Sequence, residues 1–177
     1  GNGTAVTTNT GTVTISNNDY TVAQLKTINA ATTGAITLSD PSSNLSGTSS
    51  DIVLAFAASA NGTAVTTNTG TVTITNSDYT LSQLKTINAA TTGSITLNNT
   101  TAALSGTVAD FVAAFTGTVT THTGTITITD SAGTDITATD ITTINSASTG
   151  TITVSNSIDI NGSGSQVAAA FTAIDTN

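Results

Sequence analysis

Few side chains in this sequence could do chemistry. There is one histidine, His122, two lysines, Lys26 and Lys85, and 10 acidic residues, every one of them Asp; Cys, Met, Trp, Arg and Glu are absent. His122 could serve as a general base only beside a nucleophile and an orienting carboxylate. No GxSxG elbow accompanies it. Asn9 and Asn68 hold the same place in two related stretches, "TTNTGTVTI" against "TTHTGTITI". A position that also takes Asn reads as a turn residue, and catalysis is the weaker reading.

The aspartates raise calcium as a ligand. Asp19 and Asp78 sit in the polar runs "NNDY" and "NSDY", and Asp130 and Asp135 lie in the corresponding region further on. These four are the candidate ligands. "DINGSG" (159–164) lacks the alternating acidic ligands and the bidentate Glu of a calcium loop. The nonapeptide of calcium-binding β-rolls is absent as well. Asp51, Asp110 and Asp140 have a simpler role, in the first turn of a helix, where the dipole favours negative charge.

Threonine makes up about a quarter of the chain. It recurs as Thr-x-Thr at Thr12/Thr14, Thr71/Thr73, Thr125/Thr127 and Thr151/Thr153. On neighbouring strands this pattern would form a flat array of hydroxyls and methyls, spaced ~6.6 Å along a strand and ~4.8 Å between strands. Such an array resembles the ice-binding face of Thr-rich solenoid antifreeze proteins, and a glycan is the other ligand it suits. Thr is also simply a good residue for the solvated face of a sheet, which is the plainer reading.

The elements that position these residues come from a repeat. "NGTAVTTNTGTVTI" occurs unchanged at 2–15 and 61–74; "LKTINAATTG" recurs at 25–34 and 84–93. A third, diverged copy keeps "GTITI", "TINSASTG" and "QVAAAF" in order. The chain therefore reads as one domain, 1–177, with repeats at 2–60, 61–117 and 118–177. Each repeat holds two strand-like pentads with apolar third and fifth residues: 11–15, 34–38, 70–74, 93–97, 124–128 and 150–154. Alternation of this kind predicts a strand with one apolar face. After each comes a hydroxyl followed three residues later by Gln or Asp, at Thr21, Thr48, Thr80, Thr107, Thr137 and Ser163. That spacing is a capping box, and an apolar stripe at helical spacing follows it. "TAVTT" (4–8, 63–67) and "GTVTT" (117–121) are the place for one more short strand per repeat.

Strand and helix thus alternate six times. Strands joined through a helix are expected to be parallel. The expected fold is an α/β repeat solenoid of six stacked strand–short-helix coils with a parallel sheet. A β-solenoid with short helical corners is the alternative.

"QLKTINAATTGAITL" (24–38) and "LSGTSSDIVLAFA" (45–57), with their later copies, resemble the tandem repeats of very large secreted and cell-surface proteins of bacteria, notably cyanobacteria. The resemblance covers nearly the whole chain. It implies an extracellular structural or adhesive role and carries over no catalytic residue.

A net charge of -8 with only two cations argues against nucleic acid, whose phosphates need clustered Lys and Arg. No apolar run approaches the ~20 residues of a membrane span, so no membrane insertion is expected. The chain opens at Gly and reads as a piece of a longer product. The expectation is a non-enzymatic, cofactor-free stalk segment or fibre subunit outside the cell. Its partners would be copies of itself end to end, or neighbouring repeats of a longer chain. A ligand-binding module, using the Thr face or the Asp loops, is the alternative.

Overall fold

The computed structural model describes residues 8–56 and 65–174. Strands and helices alternate along the described chain. The first segments are β1 (Val13–Ile15), α1 (Val22–Ala31), β2 (Ile36–Leu38), β3 (Leu45–Gly47) and α2 (Ser49–Phe56). Next come β4 (Val72–Ile74), α3 (Leu81–Ala90), β5 (Ile95–Leu97), β6 (Leu104–Gly106) and α4 (Val108–Phe115). The last are β7 (Ile126–Ile128), β8 (Asp135–Thr137), α5 (Ala138–Ala147), β9 (Ile152–Val154), β10 (Asp159–Asn161) and α6 (Gly164–Ala173).

All six pentads supply strands, each from its last three residues. The central Thr faces outward and the flanking Ile, Val or Leu point inward. In β2, β4, β5 and β7 both flanking residues are buried. The strands are 3 residues long and the helices 8 or 10. The helices therefore carry more of the ordered chain than corner pieces would. Helices this short are marginal alone; here each packs on the next in chain order.

All six expected caps form. The hydroxyls of Thr21, Thr80, Thr107, Thr137 and Ser163 accept from the N–H three residues on, and Thr48 accepts from Asp51 N–H at 3.1 Å. Each such cap contributes about 1 kcal/mol. The reciprocal half of the box closes at Thr21, Thr80 and Ser163, where the third residue is Gln. Gln83 Oε1, for instance, accepts from Thr80 N–H at 2.9 Å. Asp, one methylene shorter, turns back only as far as the cap hydroxyl: Thr107 Oγ1 donates to Asp110 Oδ2 at 3.0 Å.

Every strand pair is parallel, as expected for strands joined through helices. The expectation of one parallel sheet does not hold. The described strands form four small sheets, β1–β2, β3–β4–β5, β6–β7–β9 and β8–β10. The division follows from β3, β6, β8 and β10, which lie outside the pentads. After β2 the chain makes a tight turn at Asp40, whose carboxylate accepts from Ser42 N–H at 3.0 Å. β3 then starts a separate ladder with β4. Among the described residues β2 keeps a single bridge onward, Ile36 to Val65. Asn99 repeats the turn with Thr101 N–H at 2.9 Å, and Ile95 bridges to Val119. Among the described residues these bridges stand where an extra strand is expected, at 65–67 and 117–121; positions 4–7 and 63–64 lie outside the described residues.

The pentad glycines serve close approach. A Cβ on Gly93 would run into the carbonyl of Gly70, and one on Gly150 into that of Gly124. Neither has a positive φ. Beside them sits a repeated hydroxyl device. Thr91 Oγ1 donates to Asn68 O at 3.0 Å and accepts from Gly93 N–H at 2.9 Å. Ser148 does the same between His122 O and Gly150 N–H.

The core is one continuous cluster between the inward strand residues and the apolar stripes of the helices. Phe111, Leu25, Ile52, Leu84, Ile126 and Ile141 are among its fully buried side chains. Burying each is worth roughly 1.5–3 kcal/mol relative to exposure.

Candidate functional site

His122 is fully buried. Its Nδ1 lies 3.3 Å from the Tyr79 hydroxyl, and Phe115 tilts across the ring at a centroid distance of 5.9 Å. Nε2 makes no hydrogen bond. Burial lowers its pKa, partly offset by the Ala102 carbonyl. Among the described residues no nucleophile–carboxylate set surrounds it, and a turn residue on the surface would not be packed this way: His122 is an interior residue. Burial also pushes the Tyr79 hydroxyl up to about 12, so Tyr79 stays neutral.

A His held neutral in the fold but free to protonate when unfolded makes stability depend on pH. Stability is fully present above the unfolded value of about 6.5. It falls as the pH drops from there and levels off once the pH is below the lowered folded value. Urea midpoints measured at pH 7.5 and 5.5 should show this loss. His122→Asn, which installs the residue of the other two repeats, should flatten the dependence across that window.

The four aspartates stand apart. The Asn17 side chain donates to Asp19. Asn76 donates to Asp78 Oδ1 at 2.6 Å, and this bond lowers the Asp78 pKa. Asp130 is buried and accepts from the Val108 N–H at the start of α4, at 2.8 Å. Asp135 accepts from Asn161 Nδ2 at 2.8 Å. Among the described residues no three His, Cys, Asp or Glu come together to hold a metal ion.

Lys26 and Lys85 both find partners. Lys26 Nζ lies 2.5 Å from Asp51 and Lys85 Nζ 2.5 Å from Asp110. The lysines are the main cause of the lowered pKa of these two carboxyls. Both pairs are well exposed, so they add little to stability. Thr142 and Gln166 hold the two places in the third repeat, so both charges are replaced together and none is left alone.

The hydroxyl rows form, in pieces. Thr14 stands opposite Thr37; Ser46, Thr73 and Thr96 align across the second sheet, and Ser105, Thr127 and Thr153 across the third. Thr12, Thr71, Thr125 and Thr151 each lie one residue ahead of a strand. Their backbone serves the ladder, as where Leu45 N–H donates to Thr71 O at 2.8 Å. The division into separate sheets interrupts the array.

The ends of the ladder differ from its interior at matching repeat positions. Phe56 and Phe115 are 8% and 4% exposed, whereas Phe171 in α6 is 59% exposed. Asn9 is exposed where Asn68 and His122 are buried. Val13 and Ile15 in β1 are half-buried, while Val72, Ile74, Ile126 and Ile128 are covered. Among the described residues β1, β9 and β10 pair along one edge, as do all the other strands except β4 and β7. No described helix is long and apolar enough to cross a membrane. No protein-family model matches the chain, and neither curated proteins nor solved structures give a match.

Proposed function

We propose that the chain is a solenoid of stacked strand–helix coils that serves as a structural or adhesive element outside a bacterial cell, a stalk segment or fibre subunit that associates end to end. The observation that carries this reading is Phe171, open to solvent at a repeat position that two earlier helices bury. Phe115 lies against His122 of the following repeat, while Phe171, at the matching place in α6, is exposed. The reading is non-catalytic, in keeping with a chain that has no Arg or Glu and whose only His is packed in the core.

Light scattering behind size exclusion, over a range of concentrations and with negative-stain images, tests this. Growth into elongated particles in multiples of the chain mass supports it. A compact monomer at every concentration overturns it.

The in-register row Ser105–Thr127–Thr153 supports a second reading, a module binding ice or glycan on hydroxyls, or calcium on the Asp loops. Absence of thermal hysteresis, of glycan retention and of a calcium-dependent melting shift would remove it.

A further inference from the structure

Two junctions inside the chain, where one repeat meets the next, use the same contacts. At the first, Leu45, Ser46 and Gly47 pair with Val72, Thr73 and Ile74. At the second, Leu104, Ser105 and Gly106 pair with Ile126, Thr127 and Ile128. The ladder bonds match: Thr75 N–H donates to Gly47 O at 3.0 Å and Thr129 N–H to Gly106 O at 2.9 Å. At both, the later repeat reaches back to cap a helix of the earlier one. Asn76 Oδ1 accepts from Ser49 N–H, the first residue of α2, at 2.7 Å. Asp130 Oδ2 accepts from Val108 N–H, the first residue of α4, at 2.8 Å. The first junction adds a bond from Gln83 Nε2 to Ser50 Oγ at 3.0 Å.

Each half of this junction occurs once more, at an end of the chain. At the C-terminal end, Ile160, Asn161 and Gly162 stand where Leu45, Ser46 and Gly47 stand, with β8 on one edge and no described strand on the other. Gly164 begins α6 as Ser49 begins α2, and Ser165 takes the place of Ser50. At the N-terminal end, β1 has β2 on one edge and no described strand on the other. Asn17 matches Asn76, down to the bond from its side-chain amide to the Asp two residues on. Gln24 matches Gln83, and both close a capping box.

Resting on the end-to-end reading above, we propose that the C-terminal end of one copy takes the N-terminal end of a second in the register of the internal junctions. β10 then pairs with β1, Ile160 opposite Val13, Asn161 opposite Thr14 and Gly162 opposite Ile15. Asn17 of the second copy caps α6 at the Gly164 N–H, Gln24 meets Ser165, and Phe171 is covered as Phe115 is. A continuation of the same chain would make these contacts too, but a second copy supplies them in full. No cation faces an Asp across this junction. Screening the repulsion between copies of charge -8 should therefore strengthen it, and association should rise with salt.

The absence of Cys permits a direct test of register. Adjacent parallel strands lie ~4.8 Å apart, within the Cα separation of about 4.4–6.8 Å that a disulfide spans. The full chain carrying Thr14→Cys and Asn161→Cys, mildly oxidised at high concentration in 0.5 M salt, should give a ladder of reducible dimers, trimers and longer multimers. Thr14→Cys with Asp159→Cys, two residues out of register, sets the Cα atoms about 8 Å apart and should link far less. Equal linking in both variants overturns the proposed register. So does no linking in the first variant while scattering shows growth, and the end-to-end reading then stands with a different junction. Neither linking nor growth overturns both.

Discussion

Gly93→Ala should destabilise the chain by about 3 kcal/mol, at the upper end of what a single added methyl does in a packed interior. The added Cβ would meet the carbonyl oxygen and carbon of Gly70 and the carbonyl oxygen of Thr69. These are backbone atoms of the adjoining segment, so no rotamer change relieves the contact. The neighbouring ladder is tied down as well. Asn68 N–H donates to Ala90 O at 3.0 Å and Thr92 N–H to Asn68 O at 2.9 Å, and both bonds hold the two corners together. The methyl would have to push those corners apart. Gly164→Ala is the control. Nothing lies within 4 Å of its Cβ position, and Ala forms helix more readily than Gly. A gain of up to about 0.5 kcal/mol is expected there. Urea denaturation of both variants at pH 7.5 reads the contrast. A Gly93→Ala variant as stable as the parent would mean that the corners are not in this close contact.

The second large effect separates two residues of one repeat position. Phe115→Ala should cost about 3–5 kcal/mol, the usual range for emptying a buried aromatic site. Its ring stacks on Phe111 at 6.1 Å and lies against His122 at 5.9 Å. Removing it would leave a void beside a histidine that already lacks a partner on Nε2. Phe171→Ala should cost far less in dilute solution, under about 1 kcal/mol, because more than half of the residue is already exposed. At concentrations where the chain associates, the same variant should associate less. A Phe171→Ala variant that unfolds as readily as Phe115→Ala at low concentration would show that α6 is held by contacts of its own.

Much of this fold is legible in the sequence, for local reasons. The caps at Thr21, Thr80 and Ser163 depend on residues three apart, and a sequence displays that spacing directly. The pentads show their inward and outward faces because a strand has a period of two. "LSG" and "DIN" also form strands, yet three residues are too few for a period to register. Their pairing is fixed by neighbours more than twenty positions away. The ion pairs could have been found: Lys26 and Asp51 are separated by 25 positions, and so are Lys85 and Asp110. The equal spacing of opposite charges in two repeats was the available signal. For His122 there was no such signal. Asn9, at the same repeat position, is exposed while Asn68 and His122 are buried, so residue type at that place does not report burial.

By itself, the sequence determined the alternation of strand and helix, the helix starts and the parallel pairing. All three follow from short-range chemistry and from chain connectivity. Only the tertiary structure decided that the described strands divide into four sheets, because that depends on which strands meet across more than twenty positions of chain. It alone decided that the aspartates stand apart and that the hydroxyl rows are broken. It also decided that Phe56, Phe115 and Phe171, alike in sequence, differ in exposure. Burial belongs to what lies on the far side of a residue, and for Phe171 the described chain places nothing there.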